Sequence, residues 1–223
     1  MGRKVHPYGF RLKIVRDWQG RWFAKRGTQY LEMLNEDLQL RKDIMKQAGN
    51  SGISHINIER FPNQLIITIH TAKPGIIIGR KGAQVKALRE SLEKRTGKKV
   101  KLEVEEITKP DLAAPLVAEN IAGQLERRIS HGRAMKRAVQ QAMRAGAEGI
   151  KITVAGRLGG AEMSRTETVM EGRVPRSTLR ADLDFAKAEA LTTAGRIGVK
   201  VWIYKGQVLP EKQSEEAVAA PAA

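Results

Sequence analysis

The chain has 223 residues, which is enough for one or two domains that each bury a hydrophobic core. Its 40 lysine and arginine residues outnumber 24 acidic ones, and the net charge of +16 favours a polyanionic partner. The absence of cysteine excludes disulfides and thiolate metal sites and is typical of a reducing cytoplasm, while the four histidines are scattered, so we expect no metal and no cofactor. The sequence predicts neither a signal peptide nor a membrane-spanning segment.

Residues 1–27 are predicted to form a basic arm, because eight basic residues and one acidic residue lie in this stretch. Aromatic residues are interleaved with the charges, and this combination suits phosphate contacts together with stacking on unpaired bases. The alternative for Trp18, Trp22 and Phe23 is that they pack the arm onto the first domain. Residues 17–20 (DWQG) have the composition of a hairpin turn between two short strands.

A helix is predicted over residues 28–48, because apolar residues recur there at helical spacing. The residues expected on its buried face are Leu31, Leu34, Leu38, Ile44 and Met45. Strands are predicted from Ile53 onward and over residues 65–69. The segment therefore combines one helix with two strands.

The stretch 73–82 (KPGIIIGRKG) is the most informative motif of the chain. Proline 74 fits the first position of a short helix over 74–78, and a longer helix is predicted over 83–96, before a strand at 100–107. The two glycines allow a close approach of the backbone, and the second helix directs its free N–H groups and its positive dipole end at the loop. The candidate RNA ligands at this loop are Gly79, Arg80, Lys81, Gly82 and Lys86.

A GxxG loop that clamps nucleotides is the hallmark of KH domains. Two glycines at this spacing also occur in ordinary helix–helix turns, where the basic side chains between them are merely solvated. From residue 28 the predicted order is helix, strand, strand, short helix, loop, helix and strand, which looks like the type II KH fold. We therefore predict an α+β protein in which residues 28–108 form a KH type II RNA-binding domain (αββααβ).

The second half of the chain is predicted to start at residues 109–111 and to begin with two helices, one from Pro115 to about residue 130 and one over 133–144. The latter carries apolar and basic residues on opposite faces, which suits a helix that lies along an RNA backbone. A solvated helix face and a membrane-surface helix are the alternatives. The basic residues in and before this helix are Arg127, Arg128, Arg133, Lys136, Arg137 and Arg144.

Strands are predicted over 149–155, 163–170, 180–185 and 198–204, with a short helix over 185–193. Residues 111–206 are therefore predicted to form an α/β domain with two helices packed on a four-stranded sheet. Arginines cluster at the strand ends, where they are good phosphate ligands. These are Arg157, Arg165, Arg173, Arg176 and Arg180. Residues 207–223 are predicted to form a disordered tail.

Seven motifs together resemble one family. They are 1–7 (MGRKVHP), 76–82 (IIIGRKG), 133–139 (RAMKRAV), 156–162 (GRLGGAE), 172–175 (GRVP), 179–182 (LRAD) and 198–203 (GVKVWI). The chain resembles bacterial small ribosomal subunit protein three over residues 1–206, with the motifs in the family's order.

This resemblance implies a structural protein of the small-subunit head that binds ribosomal RNA and neighbouring head proteins in the cytoplasm, with no membrane and no small-molecule substrate. It also implies that Arg133, Lys136 and Arg137 contact incoming messenger RNA and help to open its secondary structure without ATP. Relatives carry adjacent basic residues where this chain has Gly132 and Arg133, so one channel charge is missing. The residues expected to bind ribosomal RNA are Arg3, Lys4, Arg11, Lys13, Arg157, Arg165, Arg173, Arg176 and Arg180.

Two other classes of function are weighed against this reading. The first is a free-standing KH-domain regulator or RNA chaperone outside the ribosome, against which the basic arm and the second domain argue. The second is an enzyme, such as a nuclease or a nucleotide-driven helicase. Asp182 and Asp184 share one face of a predicted strand, but a two-metal nuclease needs more convergent carboxylates. The sequence contains no GxxxxGK[ST] loop and no GxSxG elbow, so we expect no enzymatic activity.

Overall fold

The computed structural model describes residues 4–25 and 27–208. Six helices and eight strands are numbered here in chain order. The first part contains α1 (Pro7–Phe10), β1 (Gly20–Arg21), α2 (Thr28–Ala48), β2 (Ile53–Arg60), β3 (Gln64–Thr71), α3 (Pro74–Ile78), α4 (Ala83–Thr96) and β4 (Lys99–Glu106). The second part contains α5 (Ala114–Glu126), α6 (His131–Arg144), β5 (Gly149–Gly156), β6 (Arg165–Gly172), β7 (Ala181–Thr192) and β8 (Gly195–Gln207).

The first sheet has the strand order β1-β2-β3-β4 and a buried core between the sheet and α2, α3 and α4. β2 and β3 are antiparallel, whereas β3 and β4 run parallel, so the chain must cross over between them. α3, the loop and α4 make that crossover. Leu40, Ile67 and Leu92 are fully or almost fully buried in this core. The element order predicted from residue 28 is confirmed.

The buried face of α2 differs from the predicted one. Ile44 is buried as predicted, but Leu31, Leu38 and Met45 are 57%, 49% and 50% exposed, and the helix buries Leu40 in addition. The reason is a buried acid, Asp37, on the core side of the helix. Its carboxylate accepts hydrogen bonds from Trp22 and Arg60. Because an acidic residue occupies a buried position, the pattern of apolar residues alone does not show which face of α2 lies in the core.

The second sheet is antiparallel throughout, with the order β6-β5-β8-β7. α5 and α6 pack against one of its faces, and the core between them includes Ile121, Met135, Ile152 and Val201. Two helices on a four-stranded sheet confirm the predicted architecture of this half of the chain.

The helix predicted over 185–193 does not exist, because β7 continues as a strand to Thr192. Its alanines at alternate positions, Ala186, Ala188 and Ala190, pack toward the core. Alanine has a high helix propensity and no strand preference, so the local sequence favours a helix. The ladder between β7 and β8, which extends along the whole of β7, overrides that preference.

Residues 17–20 do not form the predicted hairpin turn. Instead Gly20 and Arg21 form a two-residue strand that runs parallel to β2. Trp22 packs onto the first domain, which was the alternative considered for it, since its Nε1 donates to Asp37 Oδ2 at 2.7 Å. Trp18 and Phe23 remain 52% and 89% exposed, so the packing interpretation is wrong for these two residues.

No helix within residues 4–25 and 27–208 is long and apolar enough to span a membrane. The same residues contain no group of three potential metal ligands. Of the tail predicted over 207–223, residue 207 is the last residue of β8, and residues 209–223 lie outside the part of the chain that the structure describes.

Candidate nucleic-acid interface

The GxxG loop links α3 to α4 through left-handed backbone. Gly79 has φ +69°, and an added Cβ there would lie 2.7 Å from the Gln84 side chain. Gly82 has φ +74° and forms the N-cap of α4. Lys81, between them, is also left-handed at φ 52°, which is uncommon for a residue with a side chain and tends to occur at ligand-binding loops. The two glycines are therefore required by the backbone path itself.

The loop exposes the side chains that are predicted to contact RNA. Arg80, Lys81 and Lys86 are exposed. No side chain caps the N-terminus of the 14-residue helix α4, so the free N–H groups of its first turn face the same region as these cations. Ile77 is buried beneath the loop, while Ile76 and Ile78 stay 46% and 41% exposed and offer apolar surface beside it.

Helix α6 separates its apolar and basic residues completely. Ala134, Met135, Ala138, Val139 and Ala142 are buried against the second sheet. On the other side, six cations in α6 and the preceding loop are exposed, and none of them forms an ion pair with another described residue. They are Arg127, Arg128, Arg133, Lys136, Arg137 and Arg144. The structure therefore leaves all six predicted cations accessible, while Arg128 lines a separate depression beside Arg157.

The basic side of α6 is slightly concave. A depression of about 510 Å³ is lined by Gly132, Arg133, Lys136, Arg137 and Gln140. An added Cβ at Gly132 would meet no atom within 4 Å, so this position opens directly onto the depression. Clustered cations along a concave surface concentrate positive potential, which suits a polyanionic strand.

The strand-end arginines are spread over several loops. Arg173, Arg176 and Arg180 are exposed between β6 and β7. Arg157 is also exposed, but its guanidinium donates to the carbonyls of residues 161 and 194 and braces two loops. Arg165 forms an ion pair with Glu167 at 2.9 Å. In the arm, Lys4 and Lys13 are exposed, and Arg3 lies outside the described residues.

Arg11 is a correction to the set of candidate RNA ligands. Its side chain is fully buried, with 0% exposure. Its guanidinium donates to five backbone carbonyls at 2.9–3.1 Å, those of Pro7, Pro175, Arg176, Thr178 and Ala181. Because this side chain is fully buried, phosphate cannot reach its guanidinium, and Arg11 fastens the arm to the second domain instead.

Comparison with known proteins gives matches along nearly the whole chain. The KH domain model matches residues 39–112, and the model of the ribosomal protein S3 C-terminal domain matches residues 121–203. The small ribosomal subunit protein uS3 of Carboxydothermus hydrogenoformans is 54% identical over 215 residues, which is 96% of this chain and 96% of that protein. The chain belongs to the uS3 family of small ribosomal subunit proteins.

Two further uS3 relatives agree with this assignment. The protein of Caldicellulosiruptor saccharolyticus is 57% identical over 213 residues, covering 95% of this chain and 96% of the relative. That of Bacillus cytotoxicus is 54% identical over 218 residues, covering 97% and 99%. The family resemblance drawn from the seven sequence motifs is confirmed.

The uS3 family is structural and non-enzymatic, and the two carboxylates considered for a nuclease have structural contacts. Asp182 and Asp184 lie 2.8 and 3.9 Å from the Arg16 guanidinium. Asp184 also accepts a hydrogen bond from the backbone N–H of Ala114, at the start of α5. Both carboxylates therefore hold the arm and α5 to β7.

Sequence reasoning missed one group of cations in this uS3 chain. Lys151, Lys187 and Lys200 lie on three strands of the second sheet, on the face away from α5 and α6. One signal was available in the sequence. Phe185 and Lys187 in β7, like Lys200 and Trp202 in β8, are two positions apart, so each pair lies on one face of its strand. The register that aligns these strands is not visible in a single sequence.

Replacing Arg80 and Lys81 together by aspartate is expected to weaken the binding of single-stranded RNA by the full chain. Both side chains are exposed, so the fold should persist. Losing two phosphate contacts should reduce the slope of log affinity against log salt by about 1.4, at about 0.7 for each contact. Fluorescence anisotropy across a salt series measures this slope. The control is aspartate at Lys42 and Lys46, two exposed lysines of α2; equal losses in both variants would show that only net charge matters.

Proposed function

We propose that this chain is a structural constituent of the small ribosomal subunit that binds ribosomal RNA in the subunit head and aligns the basic side of α6 with the entry path of messenger RNA. The observation that carries the proposal is the exposed set of six cations at α6, which form no ion pair with another described residue, on a helix whose opposite side is buried. The organisation that we propose is an arm at 1–27, a KH domain at 28–108, a second domain from 111 to the end of β8 at 207, and a tail after it.

The two tasks use separate surfaces. Ribosomal RNA is held by the GxxG loop, the exposed arm lysines and the arginines between β6 and β7. Those groups come from several loops, and loop cations on a packed scaffold fix the orientation of the protein on an irregular RNA surface. Neighbouring head proteins contact other parts of the surface. α6 is one continuous helix of 14 residues, which suits a strand that moves past it.

Contact with messenger RNA at α6 is tested by replacing Arg133, Lys136 and Arg137 together with alanine. The stability of the protein should change by no more than about 0.5 kcal/mol for each exposed substitution. Assembly into small subunits should persist, because the ribosomal RNA contacts lie elsewhere. Translation of messengers with secondary structure near the entry site should fall more than translation of unstructured ones, measured by paired reporters in a reconstituted system.

Gly132→Arg provides the opposite perturbation on the same helix. The added side chain has open space, since no atom lies within 4 Å of the new Cβ. It should increase translation of the structured reporter relative to the unstructured one. The matched control removes three cations from the first domain by alanine at Lys42, Lys46 and Lys94, which are exposed and away from α6. A triple α6 variant that does not assemble, or that slows both reporters equally, would contradict the proposal.

A second candidate function is that of a free-standing KH regulator, which the exposed GxxG loop alone would support. Sedimentation of lysate through a sucrose gradient separates the two. The ribosomal function predicts co-sedimentation with small subunits at high salt, whereas a free regulator would remain near the top of the gradient.

A further inference from the structure

The face of the second sheet that points away from α5 and α6 is called here the outer sheet face. It consists of the outward-pointing residues of β5 to β8. Cross-strand register arranges them in rows. One row contains Met170, Lys151, Trp202 and Phe185, and the next contains Thr168, Thr153, Lys200 and Lys187.

Lysines and aromatic rings contact each other on this face. The Nζ of Lys151 lies 5.8 Å from the centroid of the Trp202 ring, and the Nζ of Lys187 lies 5.8 Å from that of Phe185. The Phe185 and Trp202 rings are 5.0 Å apart, and the His6 ring of the arm meets the Phe185 ring edge-on at 5.1 Å. These cation–π contacts hold the ammonium groups in place on the sheet.

The positive charge of this face is not balanced. Lys187 and Lys200 are directly opposite each other on adjacent strands, an arrangement that destabilises a sheet by charge repulsion. Burial, together with the nearby charges of Arg176 and Lys4, lowers the pKa of Lys151. Among the described residues, neither of the two rows contains an acid. The nearest outward acid along β7, Glu189, pairs with Arg196 at 3.2 Å.

We propose that the outer sheet face is a second RNA-binding surface of this domain, in which Lys151, Lys187 and Lys200 hold the phosphates of a single-stranded RNA segment. This proposal rests on the proposed ribosomal function. The domain then contacts RNA on two opposite sides, with α6 on one side of the sheet and these cations on the other. It acts as a spacer that holds two RNA segments one domain apart.

RNA is favoured over an acidic protein segment because the face combines two chemistries. Cations alone suit any polyanion. Cations placed beside aromatic rings suit nucleic acid, since the phosphates meet the charges and an unpaired base meets the ring edges and faces. The repulsion between opposed lysines is also relieved best by a chain of closely spaced negative charges.

The test uses the full chain and a fluorescein-labelled oligouridylate of 20 nucleotides. The outer-face variant carries alanine at Lys187 and Lys200, which are both exposed, and leaves Lys151 and Trp202 intact. Its log–log salt slope should fall by about 1.4, at about 0.7 for each lost contact. The control that carries alanine at Lys42 and Lys46 should leave the slope within error of the parent, although it loses the same charge.

The melting temperature of the outer-face variant serves as the folding check. It should be no lower than that of the parent, because the variant removes a like-charge pair. Combining this variant with the α6 triple variant should give additive losses of slope, since the two sets lie on opposite sides of the domain. An unchanged slope in the outer-face variant, with a reduced slope in the α6 variant, overturns this proposal and leaves the proposed function standing. A reduced slope in the outer-face variant with an unchanged slope in the α6 variant overturns the α6 assignment instead.

A crosslink identifies what occupies the face in the assembled subunit. Met170, which is 60% exposed, ends the first row and tolerates a large side chain. With Met170→benzoylphenylalanine, irradiation of purified subunits should attach the chain to ribosomal RNA. Crosslinks to a protein in place of RNA overturn the proposal and show that an acidic protein segment covers the lysines.

Discussion

Arg11→Ala is expected to lower the free energy of unfolding by about 3 kcal/mol or more, because it removes a buried guanidinium that donates to five backbone carbonyls. The change also removes the contact that fastens the arm to the second domain. Chemical denaturation should therefore show the loss of stability, and limited proteolysis should cut the arm before any other part of the chain.

The matched control is Lys13→Ala, two residues along the same arm, where the side chain is exposed. It should stay within about 0.5 kcal/mol of the parent. Arg11→Lys should remain destabilised, since a single ammonium cannot reach acceptors arranged around a planar guanidinium. Equal stabilities for Arg11→Ala and Lys13→Ala would show that the buried guanidinium contributes nothing beyond a surface charge.

Gly149→Ala is expected to destabilise the second domain by about 3 kcal/mol or more, the upper part of the range for overpacked cores. An added Cβ would lie 1.9 Å from the carbonyl oxygen of Arg173, a backbone atom that cannot rotate away. Gly149 pairs with Gly172 across β5 and β6, where the strands approach closely. The expected consequence is a lower melting temperature.

The control for this prediction is the same substitution at Gly132, in the first turn of α6. There the new methyl group meets no atom within 4 Å, and alanine favours a helix over glycine by about 0.5–1 kcal/mol. Gly132→Ala should therefore leave the melting temperature unchanged or raise it. Similar losses in both variants would contradict the close-approach explanation and point to a general intolerance of alanine.

Local signals in the sequence were sufficient to predict the secondary structure around the GxxG loop. Pro74 starts α3, Gly79 and Gly82 bound the loop, and Gly97 ends α4 in a left-handed conformation. Each of these residues restricts its own backbone, so the restriction is visible without knowledge of the rest of the fold. The opposed faces of α6 were predicted for the same reason, because helical periodicity is a local property.

Features that depend on distant partners were not predictable. The buried face of α2 is defined by Asp37, whose partners Trp22 and Arg60 come from the arm and from β2. β7 is a strand because β8 pairs with it, although its alanines favour a helix. The role of Arg11 is decided by carbonyls more than 160 residues away.

The candidate RNA surfaces divide in the same way. Two of the surfaces are formed by residues that are close in sequence: Arg80 and Lys81 in the loop, and Arg133 and Lys136 in the helix. Their local clustering was visible in the sequence alone. The outer sheet face draws Lys151, Lys187 and Lys200 from three strands, and only the register places them side by side. A surface of that kind has no contiguous motif.

The carbonyl cage around Arg11 has a consequence for synthesis. Arg11 leaves the ribosome 170 residues ahead of Ala181, one of its acceptors. At about 5–20 residues per second, this delay lasts roughly 10–30 s. During that interval the segment around Arg11 lacks its acceptors in the second domain, although Gly20 and Arg21 can already pair with β2. A chain released before residue 181 therefore keeps the start of its basic arm undocked and open to proteases. The start of the arm can dock only after translation has passed β6 and reached β7.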